Sequence, residues 1–573
     1  MKQPVTGVPN AQALKNTSPD KVRLRPLFLR ILNAIAGCIV AFAFNASSIV
    51  VAADAPKIER ISPPGGQRGT AVTCKLIGKA GDGQLHVADD ATGLTFQISE
   101  KQDTITVTIA DDATAGLNWI RFWNEAGATE LLPFVVGLLP ESAEAEPNND
   151  IGAANAVEIP TTINAVLEKS GDVDLYSVTL KAGQTLFSSV TANQQLGSPM
   201  DAVLQVVDVA GTTVAHNDDS DGLDPQLTFT AQDDGNYYVR IFAFPSAPNS
   251  TIALAGGSGF VYRLTLSTGP IAEFSVPGFV QTGASTDVRI FGTNLPDEGL
   301  GATVPATNDA AYDFLTGTDL PLIIRRQPHS SFTEANLSGN SLTMPTSVTG
   351  IISQPYEIDR YVLNGMKGQK IDVEVNARSL KSPLDPLITI TDASKKLLKE
   401  ADDRSKENLD AFVQATLPAD GLYEIAVSDR YLHGGPRYFY TLTCRPTVPE
   451  VSAEVTTSAF VLNADKPLEI PVSISRKNGF DSKLNFTVSG LPEGVDAATV
   501  VSEKDGDTSK KVTIKITQTE AATAFSGPIQ IIARPDEGET EIAVQHDIPN
   551  SSDTSHKHWL TVVPNTDNSL PNE

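Results

Sequence analysis

The sequence predicts an all-β protein made of small β-sandwich modules arranged in series. Apolar and polar residues alternate with a period of two along short runs, such as Thr104–Ile109, Lys370–Val375 and Lys511–Ile516. Clusters of Pro, Gly, Asn and Asp separate these runs, as expected for antiparallel sheets with one buried face. No sustained 3.6-residue periodicity follows the first 53 residues, so no long helix is expected there.

The length, net charge and cysteine content of the chain limit the number of its domains, the kinds of partner it can bind and the disulfides it can form. The chain has 573 residues and a formal net charge of −26. A length of roughly 150 residues per domain gives about four domains, and small β-modules raise that to about five. So acidic a chain repels nucleic acid and anionic lipid, and neither is expected as a partner. Cys74 and Cys444 lie in different predicted modules, which indicates two buried thiols and no disulfide framework.

The N-terminal segment, residues 1–53, has the pattern of an export signal. A basic flank from Lys21 to Arg30 precedes a mostly apolar run, Ile31 to Phe44, and small residues before Asp54 offer a cleavage site. The sequence therefore predicts a secreted, cell-surface or periplasmic protein. Two alternatives stay open, an uncleaved anchor helix and lipidation at Cys38. No later stretch reaches the roughly 18 apolar residues of a spanning helix, so membrane contact is expected only through this segment.

Residues 54–138 form the first predicted module. It begins Ile58-x-x-Ile61-x-Pro63-x-x-Gly66-x-x-Gly69-Thr70, followed by an alternating strand. This motif resembles the start of an IPT/TIG-type immunoglobulin-like (Ig-like) module, whose glycines allow the positive φ of tight turns. Residues 270–330 repeat a shortened version, and their polar stretch at 296–309 is predicted to be a long loop.

Residues 139–269 form the second predicted module, which carries a set of motifs along its whole length. They are Glu146-Pro147-Asn148-Asn149, Gly171-Asp172-Val173-Asp174-Leu175-Tyr176, Ala182-Gly183-Gln184 and Asp234-Gly235-Asn236-Tyr237-Tyr238. Together they resemble the bacterial pre-peptidase C-terminal domain, a jelly-roll-like β-sandwich of the collagen-binding type. We call this module the first sandwich.

The motifs of the first sandwich return near a constant offset, which indicates an internal repeat. Asp174 and Tyr176 return 185 positions later as Asp359 and Tyr361, and Gly183-Gln184 returns as Gly368-Gln369. Residues 331–446 are therefore predicted to form a second sandwich.

The C-terminal part of the chain predicts one more Ig-like module, at residues 447–565. Its turn at Gly490-Leu-Pro492-Glu-Gly494 resembles bacterial Ig-like domains of surface proteins. The polar stretch from Asn550 to His558 is predicted to be a mobile loop that exposes His556 and His558. The tail at 566–573 is predicted to be disordered. The whole order, Ig-like, sandwich, Ig-like, sandwich, Ig-like, resembles large secreted bacterial proteins with tandem copies of these modules.

Calcium is the sharpest site hypothesis, because calcium takes 6–8 hard oxygen ligands and two oxygen-rich stretches flank the start of the first sandwich. The candidate ligands are Glu144, Glu146, Asn148, Asn149, Asp150, Asp172 and Asp174. The resemblance implies a calcium ion between the N-terminal linker and a neighbouring loop, carried over most clearly onto Glu144, Glu146, Asn148 and Asp174. The alternative is that Asn148 and Asn149 only end the linker and that Asp172 caps a turn.

Aromatic residues supply a second candidate site. Tyr237, Tyr238 and Phe242 follow one another along a single predicted strand. The resemblance implies that exposed tyrosines of one sheet hold a ligand. The alternative is that these residues belong to the core or to cross-strand pairs.

The sequence contains no recognisable catalytic motif. His-Glu-x-x-His, Gly-x-Ser-x-Gly, P-loop and dinucleotide fingerprints do not occur in it. We therefore expect a non-catalytic, secreted binding or surface protein whose partner is an extracellular protein, a polysaccharide or the cell envelope. The first alternative function is an accessory component that supplies substrate-binding domains to a secreted protease or other hydrolase on another chain. The second alternative is a hydrolase whose site has no recognisable motif. The identity of the ligand and the oligomeric state stay open.

Overall fold

The structure, a computed structural model, describes residues 53–564 apart from 90–91, 221, 248–252, 407, 537–539, 550 and 552. The predicted signal segment up to residue 52, with Cys38, and the predicted tail lie outside the described residues. Within them, helix is limited to α1 (Asn193–Leu196) and to the 3₁₀ helices Glu334–Asn336, Ser338–Asn340 and Arg378–Leu380. The all-β fold class is confirmed. No helix in the described part is long and apolar enough to cross a membrane.

The first Ig-like module, residues 57–137, is built from two sheets around one core. Its described strands are β1 (Lys57–Ser62), β2 (Gly65–Gln67), β3 (Ala71–Lys79), β4 (His86–Asp89), β5 (Leu94–Ile98), β6 (Thr104–Ile109), β7 (Gly116–Asn124), β8 (Gly127–Ala128) and β9 (Leu132–Gly137). The strand orders are β1-β3-β6-β5 and β2-β9-β7-β4, with β8 paired to β7. Cys74, Phe122 and Phe134 are fully buried in the core between the sheets.

The first sandwich, residues 141–267, pairs two five-stranded sheets. Its strands are β10 (Glu141–Ala143), β11 (Asn155–Ala156), β12 (Thr161–Val166), β13 (Asp174–Leu180), β14 (Thr185–Thr191), β15 (Met200–Val207), β16 (Thr213–Asn217), β17 (Gln226–Thr230), β18 (Gly235–Pro245) and β19 (Val261–Ser267). The orders are β10-β12-β19-β14-β17 and β11-β13-β18-β15-β16. The parallel pairings of β10 with β12 and of β11 with β13 place the N-terminal linker beside the start of β13.

The middle Ig-like module, residues 274–327, has two three-stranded sheets. Its strands are β20 (Phe274–Val276), β21 (Phe279–Gln281), β22 (Thr286–Phe291), β23 (Leu300–Val304), β24 (Ala311–Phe314) and β25 (Leu322–Gln327). The prediction of one long loop at 296–309 is wrong, because β23 lies in it and pairs with β22. Leu300, Ala302 and Val304 alternate toward the core, but the small residues between them hide the pattern.

The second sandwich, residues 330–446, has the same topology as the first. Its strands are β26 (Ser330–Thr333), β27 (Ser341–Leu342), β28 (Thr346–Ile351), β29 (Ile358–Gly365), β30 (Lys370–Asn376), β31 (Pro386–Asp392), β32 (Leu397–Ala401), β33 (Ala411–Thr416), β34 (Gly421–Asp429) and β35 (Phe439–Pro446). The orders β26-β28-β35-β30-β33 and β27-β29-β34-β31-β32 repeat those of the first sandwich strand by strand. Cys444 is fully buried in its core, so both thiols outside the N-terminal segment are free and buried, as predicted.

The last module, residues 450–563, combines a four-stranded sheet and a larger sheet. Its described strands are β36 (Glu450–Glu454), β37 (Ala459–Asn463), β38 (Leu468–Lys477), β39 (Leu484–Ser489), β40 (Val495–Ala497), β41 (Val500–Ser502), β42 (Lys511–Gln518), β43 (Phe525–Pro535), β44 (Ile542–Ala543), β45 (His546–Asp547), β46 (Thr554–Ser555) and β47 (His558–Val563). The main orders are β36-β38-β42-β40 and β37-β47-β43-β39-β41.

The predicted exposure of His558 is wrong. His558 is 1% exposed, and its Nε2 donates to the carbonyl of Val544 at 2.9 Å. The side chain begins β47 and its ring lies 5.1 Å from that of His546, which is equally buried. Burial lowers the pKa of both histidines to about 4. Polar neighbours in the sequence concealed a histidine that belongs to the core.

The joint between the first module and the first sandwich contains a buried ion pair. Arg263 donates to both carboxylate oxygens of Glu141, at 2.6 and 3.0 Å, and the two side chains are 4% and 9% exposed. Gly65 and Gly137 of the first module lie against this pair. A Cβ at Gly65 would come within 2.4 Å of the Arg263 guanidinium, so only glycine permits this approach.

The middle module contacts both sandwiches through Glu273 and Phe274. The Glu273 carboxylate accepts hydrogen bonds from Gln226 of the first sandwich, at 2.9 Å, and from Arg437 of the second, at 2.6 Å. The ring of Phe274 stacks on Phe439 of the second sandwich with centroids 3.8 Å apart. The middle module is therefore fixed to both sandwiches by specific contacts as well as by the chain that links them.

The first and last modules also contact each other. Arg121, 3% exposed, donates to the Ser458 hydroxyl at 2.8 Å and to the carbonyl of Lys557 at 3.0 Å. Glu130 accepts from Thr457 at 2.8 Å. The ring centroids of Trp123 and Trp559 lie 5.8 Å apart. The modules nearest the two ends of the described chain are thus in direct contact.

Candidate functional site

The linker that precedes the first sandwich is held against two strands. The backbone of Glu144 donates to the carbonyl of Asn164 in β12 at 3.2 Å. The backbone of Leu175 in β13 donates to the carbonyl of Asn148 at 3.0 Å. These two bonds bring the acidic linker to the start of β13, where Asp174 stands.

Three carboxylates meet at this point. Ligand oxygens of Glu144, Glu146 and Asp174 all lie within 4.8 Å of one another. Asp174 is completely buried, Glu144 is half-buried and Glu146 is exposed. The backbone of Asn148 donates to Glu146 at 3.1 Å, which keeps the Asn148 residue beside the group.

Asn148 is fully buried, and neither its side-chain oxygen nor its side-chain nitrogen has a hydrogen-bond partner. Oδ1 of Asp174 is also buried and without a partner. Unpaired buried polar atoms are rare in native proteins, since each costs roughly 1–3 kcal/mol when it is left unsatisfied. Both residues therefore present oxygen atoms that the polypeptide itself does not satisfy.

The electrostatics of the cluster favour a cation. Burial raises the pKa of Asp174 to about 9, and the charge of Glu144 adds to the rise. Burial likewise raises the pKa of Glu144 to about 7, with a further contribution from the charge of Glu146. Burial and the charge of Asp172 raise the pKa of Glu146. The three carboxylates cannot all be ionised cheaply without positive charge among them.

Two buried tyrosines support the cluster, and the site residues predicted from sequence did not include them. The hydroxyls of Tyr176 and Tyr262 lie 2.7 Å apart; Tyr262 donates to Asp174, and Tyr176 donates to Glu144 at 3.4 Å. Burial raises the pKa of both tyrosines well above the ordinary value, so they remain neutral donors. The recurrence of Asp-x-Tyr in both sandwiches is the sequence feature that marks Tyr176.

The remaining predicted ligands make other contacts. Asn149 donates to Asp172 at 2.8 Å, and Asp172 also accepts from the backbone of Glu168 at 2.6 Å. Oδ1 of Asp150 accepts from the backbones of Gly152 and Ala153 and so closes a turn. For Asp150 and Asp172 the structure favours the turn-capping role. Neither belongs to the group of three carboxylates that the structure brings together.

The second sandwich repeats the tyrosine pair without the full set of oxygen donors. The hydroxyls of Tyr361 and Tyr440 lie 2.6 Å apart; Tyr361 donates to Glu334 at 2.7 Å, and Tyr440 donates to Asp359 at 2.7 Å. Burial raises the pKa of Asp359 to about 7. The Glu-Pro-Asn-Asn block of the first sandwich has no equivalent here. The second sandwich therefore provides an internal control for metal binding by the first sandwich, because it has the tyrosine pair without the full set of oxygen donors.

The candidate aromatic face is divided between core and surface. Tyr237 is 9% exposed, packs on Phe229 with centroids 5.0 Å apart and donates to the carbonyl of Asp233 at 3.1 Å. The expectation that Tyr237 contacts a ligand is wrong, because β18 turns this side chain inward. Tyr238 and Phe242 are half-buried on the opposite face of β18, where the backbone alternation places them.

One histidine lies beside a serine hydroxyl in the described residues. Nε2 of His329 is 3.1 Å from Oγ of Ser347. Ser347 is completely buried, donates to Gln327 at 3.0 Å and lies 2.7 Å from the hydroxyl of Thr443. This hydroxyl belongs to a polar contact between the middle module and the second sandwich, and no substrate has access to it.

The fold and the cluster define a multidomain β-sandwich protein with an oxygen-rich site in its first sandwich. Residues 172–243 match the family model of the bacterial pre-peptidase C-terminal domain. Over 205 residues the chain is 25% identical to a probable subtilase-type serine protease of Deinococcus radiodurans. That match covers 32% of this chain and 28% of the relative. The shared part is therefore about a quarter of the relative's length.

Several solved structures are also similar to parts of the chain. The pre-peptidase C-terminal domain of collagenase from Bacillus anthracis is 19% identical and covers 22% of this chain and 100% of its own, with a TM-score of 0.16. The fibronectin(III)-like modules of Clostridium thermocellum CbhA are 15% identical, covering 38% and 99%, with a TM-score of 0.13. Sidekick-1 immunoglobulin domains 1–4 are 11% identical, covering 89% and 99%, with a TM-score of 0.20.

Proposed function

We propose that this chain is a non-catalytic, multidomain binding protein that acts outside the cell. Its modules attach to an extracellular protein, a polysaccharide or the cell envelope, and calcium stiffens the linker that enters the first sandwich. The proposal is supported by the array of packed β-modules, by the match of residues 172–243 to the pre-peptidase C-terminal family and by the oxygen-rich cluster.

The observation that carries the calcium part is the state of Asn148. Its side-chain amide is fully buried and has no hydrogen-bond partner in the described chain, and its backbone is bonded to Glu146 of the cluster. A polypeptide gains nothing by burying such a group unless the oxygen coordinates something.

The donor set fits calcium by its chemistry. Glu144, Glu146 and Asp174 supply carboxylate oxygens, and Asn148 supplies an amide oxygen. Calcium prefers such hard, mostly anionic oxygens at about 2.3–2.6 Å and completes its shell with water. The positive charge would let the buried carboxylates ionise together, and the tyrosine hydroxyls of Tyr176 and Tyr262 would orient two of them.

The outer face of β18 is the proposed ligand face. Tyr238 and Phe242 lie there with Arg240, whose Nε donates to Gln205 at 2.8 Å. Cross-strand neighbours on β13 and β15 fix the positions of these side chains. A sheet face that carries half-exposed aromatic rings provides apolar contact area at low conformational cost.

A second candidate is an accessory role beside a secreted serine protease. The 205-residue match to the probable subtilase-type protease favours it. In that case the chain binds a substrate or an envelope surface, and a separate catalytic chain cleaves the substrate. Casein hydrolysis by the purified chain alone, abolished by a serine-protease inhibitor, would contradict both candidates.

The metal test is thermal melting of the full chain with and without calcium. Saturating calcium is expected to stabilise the first sandwich by about 2.7 kcal/mol at a hundredfold excess over Kd, which is a Tm increase of about 5 °C or more. The variant with Asp174→Asn and Glu146→Gln should lose this shift. The matched variant of the second sandwich, Asp359→Asn with Glu334→Gln, should keep it. No shift in the wild-type chain would reject the calcium site.

The partner test is a pull-down with collagen, chitin, cellulose and peptidoglycan. Retention on one of them, weakened at least tenfold by Tyr238→Ala with Phe242→Ala, supports the proposed face. The matched control is Tyr237→Phe, which keeps the buried ring and removes only its hydroxyl. Equal retention of the wild-type chain, the double variant and the Tyr237→Phe control would reject this face as the binding surface.

A further inference from the structure

A cavity of about 580 Å³ lies where the first module, the first sandwich and the last module meet. The three modules contribute walls that are far apart in the sequence. Representative lining residues are Lys57, Arg60, Glu130, Leu196, Thr457 and Pro549. The volume falls in the range of ligand-binding clefts, about 300–1,000 Å³. Because the walls come from three modules, the cavity exists only while the first and last modules are in contact.

One wall of this cavity is a free sheet edge. β1 is the edge strand of the sheet β1-β3-β6-β5, with β3 as its neighbour on one side. Five consecutive residues, from Pro56 to Arg60, line the cavity on the other side. No described backbone group outside the sheet pairs with this strand. Such an edge offers a row of donors and acceptors to an incoming extended segment.

Arg60 adds a chemical preference to this wall. Its side chain is half-buried, and Nη1 donates to the carbonyl of Leu196 at 3.2 Å. Among the residues that the structure describes, it forms no ion pair, although it is partly removed from water. Two carboxylates line the cavity with it. Glu130 already accepts hydrogen bonds from Thr457 and Ser458, and the exposed Glu59 acts on Arg60 through its charge without a direct ion pair. The Arg60 guanidinium therefore has donors left for an external carboxylate.

The edge is also protected against unselective pairing. The pairing of β1 with β3 is irregular between Ile58 and Arg60, and Lys57 and Glu59 are exposed charged residues at the same edge. Bulges and charges of this kind keep sheet edges from joining a second copy of the same chain. A ligand strand must therefore be short, and it must carry a charge opposite to that of a charged residue at this edge.

We propose that an extended, acidic polypeptide segment binds in this cavity as an added strand on β1, with a carboxylate of the segment paired to Arg60. A polypeptide repeats the hydrogen-bonding pattern of a strand edge, which a sugar chain does not. The proposal goes beyond the proposed function, because it places a peptide site apart from the carboxylate cluster and from the face of β18. None of the candidate calcium ligands lines the cavity.

The test uses the full chain and a fluorescein-labelled, end-blocked hexapeptide of alternating valine and threonine with one central glutamate. Fluorescence polarisation should show saturable binding. A peptide with lysine in place of glutamate should bind at least tenfold more weakly, and one with a central proline should not bind, because proline removes a backbone donor. Arg60→Gln should weaken the glutamate peptide at least tenfold, and Arg60→Lys should restore part of the loss. Arg289→Gln, an exposed residue of β22, is the matched control and should change nothing.

Hydrogen exchange places the peptide on the chain. The backbone amides from Lys57 to Arg60 should become more protected when the glutamate peptide is added. Four results would each overturn the proposal. The lysine peptide binds as tightly as the glutamate peptide, or the glutamate peptide does not bind up to about 1 mM. The peptide protects only amides outside Lys57 to Arg60, or an oligogalacturonate binds in place of the peptide. Binding should be the same in EDTA and in calcium, so the failure of the calcium site and the failure of this site are separate results.

Discussion

The guanidinium of Arg121 in the first module donates a 2.8 Å hydrogen bond to the hydroxyl of Ser458 in the last module, 337 positions further along the chain. Arg121 is almost fully buried, and Ser458 is completely buried. Ser458 in turn donates to Glu130, so a cation and an anion of the first module meet on one serine of the last. This contact joins the modules nearest the two ends of the described chain.

Ser458→Ala should loosen this contact. The variant removes one donor of the half-buried Glu130 carboxylate, which keeps its bonds from Thr457 and from the Ser458 backbone, so a cost of about 1 kcal/mol is expected. Hydrogen exchange should show reduced protection in β8 and β47, while the cores of the two sandwiches stay unchanged. Ser473→Ala, an exposed position of β38 in the same module, is the control and should have no effect. Unchanged protection in both strands would mean that the serine does not hold the modules together.

Stability without calcium should fall as the pH rises. The pKa values of Glu144 and Asp174 are raised to about 7 and about 9 in the folded chain, from ordinary values of about 4 in the unfolded chain. At pH values between the unfolded and the folded pKa, the unfolded state has released protons that the folded state still binds. The free energy of unfolding therefore decreases as the pH rises from about 4 to about 9. Thermal melts in EDTA across this range measure the effect.

Calcium should reverse that pH dependence for the first sandwich only. Calcium binds ionised carboxylates, so the stabilisation that it provides grows as protons leave. The second sandwich, where the pKa of Asp359 is raised to about 7, should keep its loss of stability between about pH 4 and 7 with or without the ion. The same melts repeated in calcium provide the comparison. Identical pH profiles in EDTA and calcium would contradict the site.

Asn148→Ala should separate metal binding from folding. The Asn148 side-chain amide has no protein partner to lose and its two unpaired atoms are costly to bury, so the calcium-free chain should lose no stability. Calcium affinity, measured by isothermal titration, should fall at least tenfold because one oxygen ligand is removed. Asn364→Ala, an exposed position of β29, should leave both quantities unchanged. Wild-type affinity in Asn148→Ala would exclude this amide from the coordination shell.

The sequence predicts the strands well where alternation is strong. The runs at Thr104–Ile109 and Lys511–Ile516 fall within β6 and β42 because one face of each is buried against a core. β23 was missed because Gly301 and Ala302 weaken the contrast between its two faces. The prediction for His558 is wrong because its partners, Val544 just after β44 and His546 in β45, stand in a segment whose short strands the local pattern does not reveal.

The candidate site was predictable as a set of residues but not as a geometry. Glu144, Glu146, Asn148 and Asp174 stand in recognisable motifs, and the structure brings three of them within 4.8 Å. Asp150 instead accepts a hydrogen bond within a turn, and Asp172 accepts one from Asn149. Both contacts depend on loop conformation, which the spacing of residues in the sequence does not determine. The contact of Arg121 with Ser458 has no local sequence pattern at all, since it depends on how all five modules pack.

The joint between the first module and the first sandwich contains the bidentate pair of Arg263 and Glu141, which is almost fully buried. Arg263→Met should cost about 3–5 kcal/mol, because it leaves a carboxylate buried without its cation. Adding Glu141→Met should recover much of that loss, which a double-mutant cycle of thermal melts measures. The matched control is Lys181→Met, which breaks an exposed pair with Asp234 and should cost far less than Arg263→Met, because solvent screens that pair. If Arg263→Met costs no more than Lys181→Met, the buried pair does not stabilise the joint, and packing around Gly65 and Gly137 must do so alone.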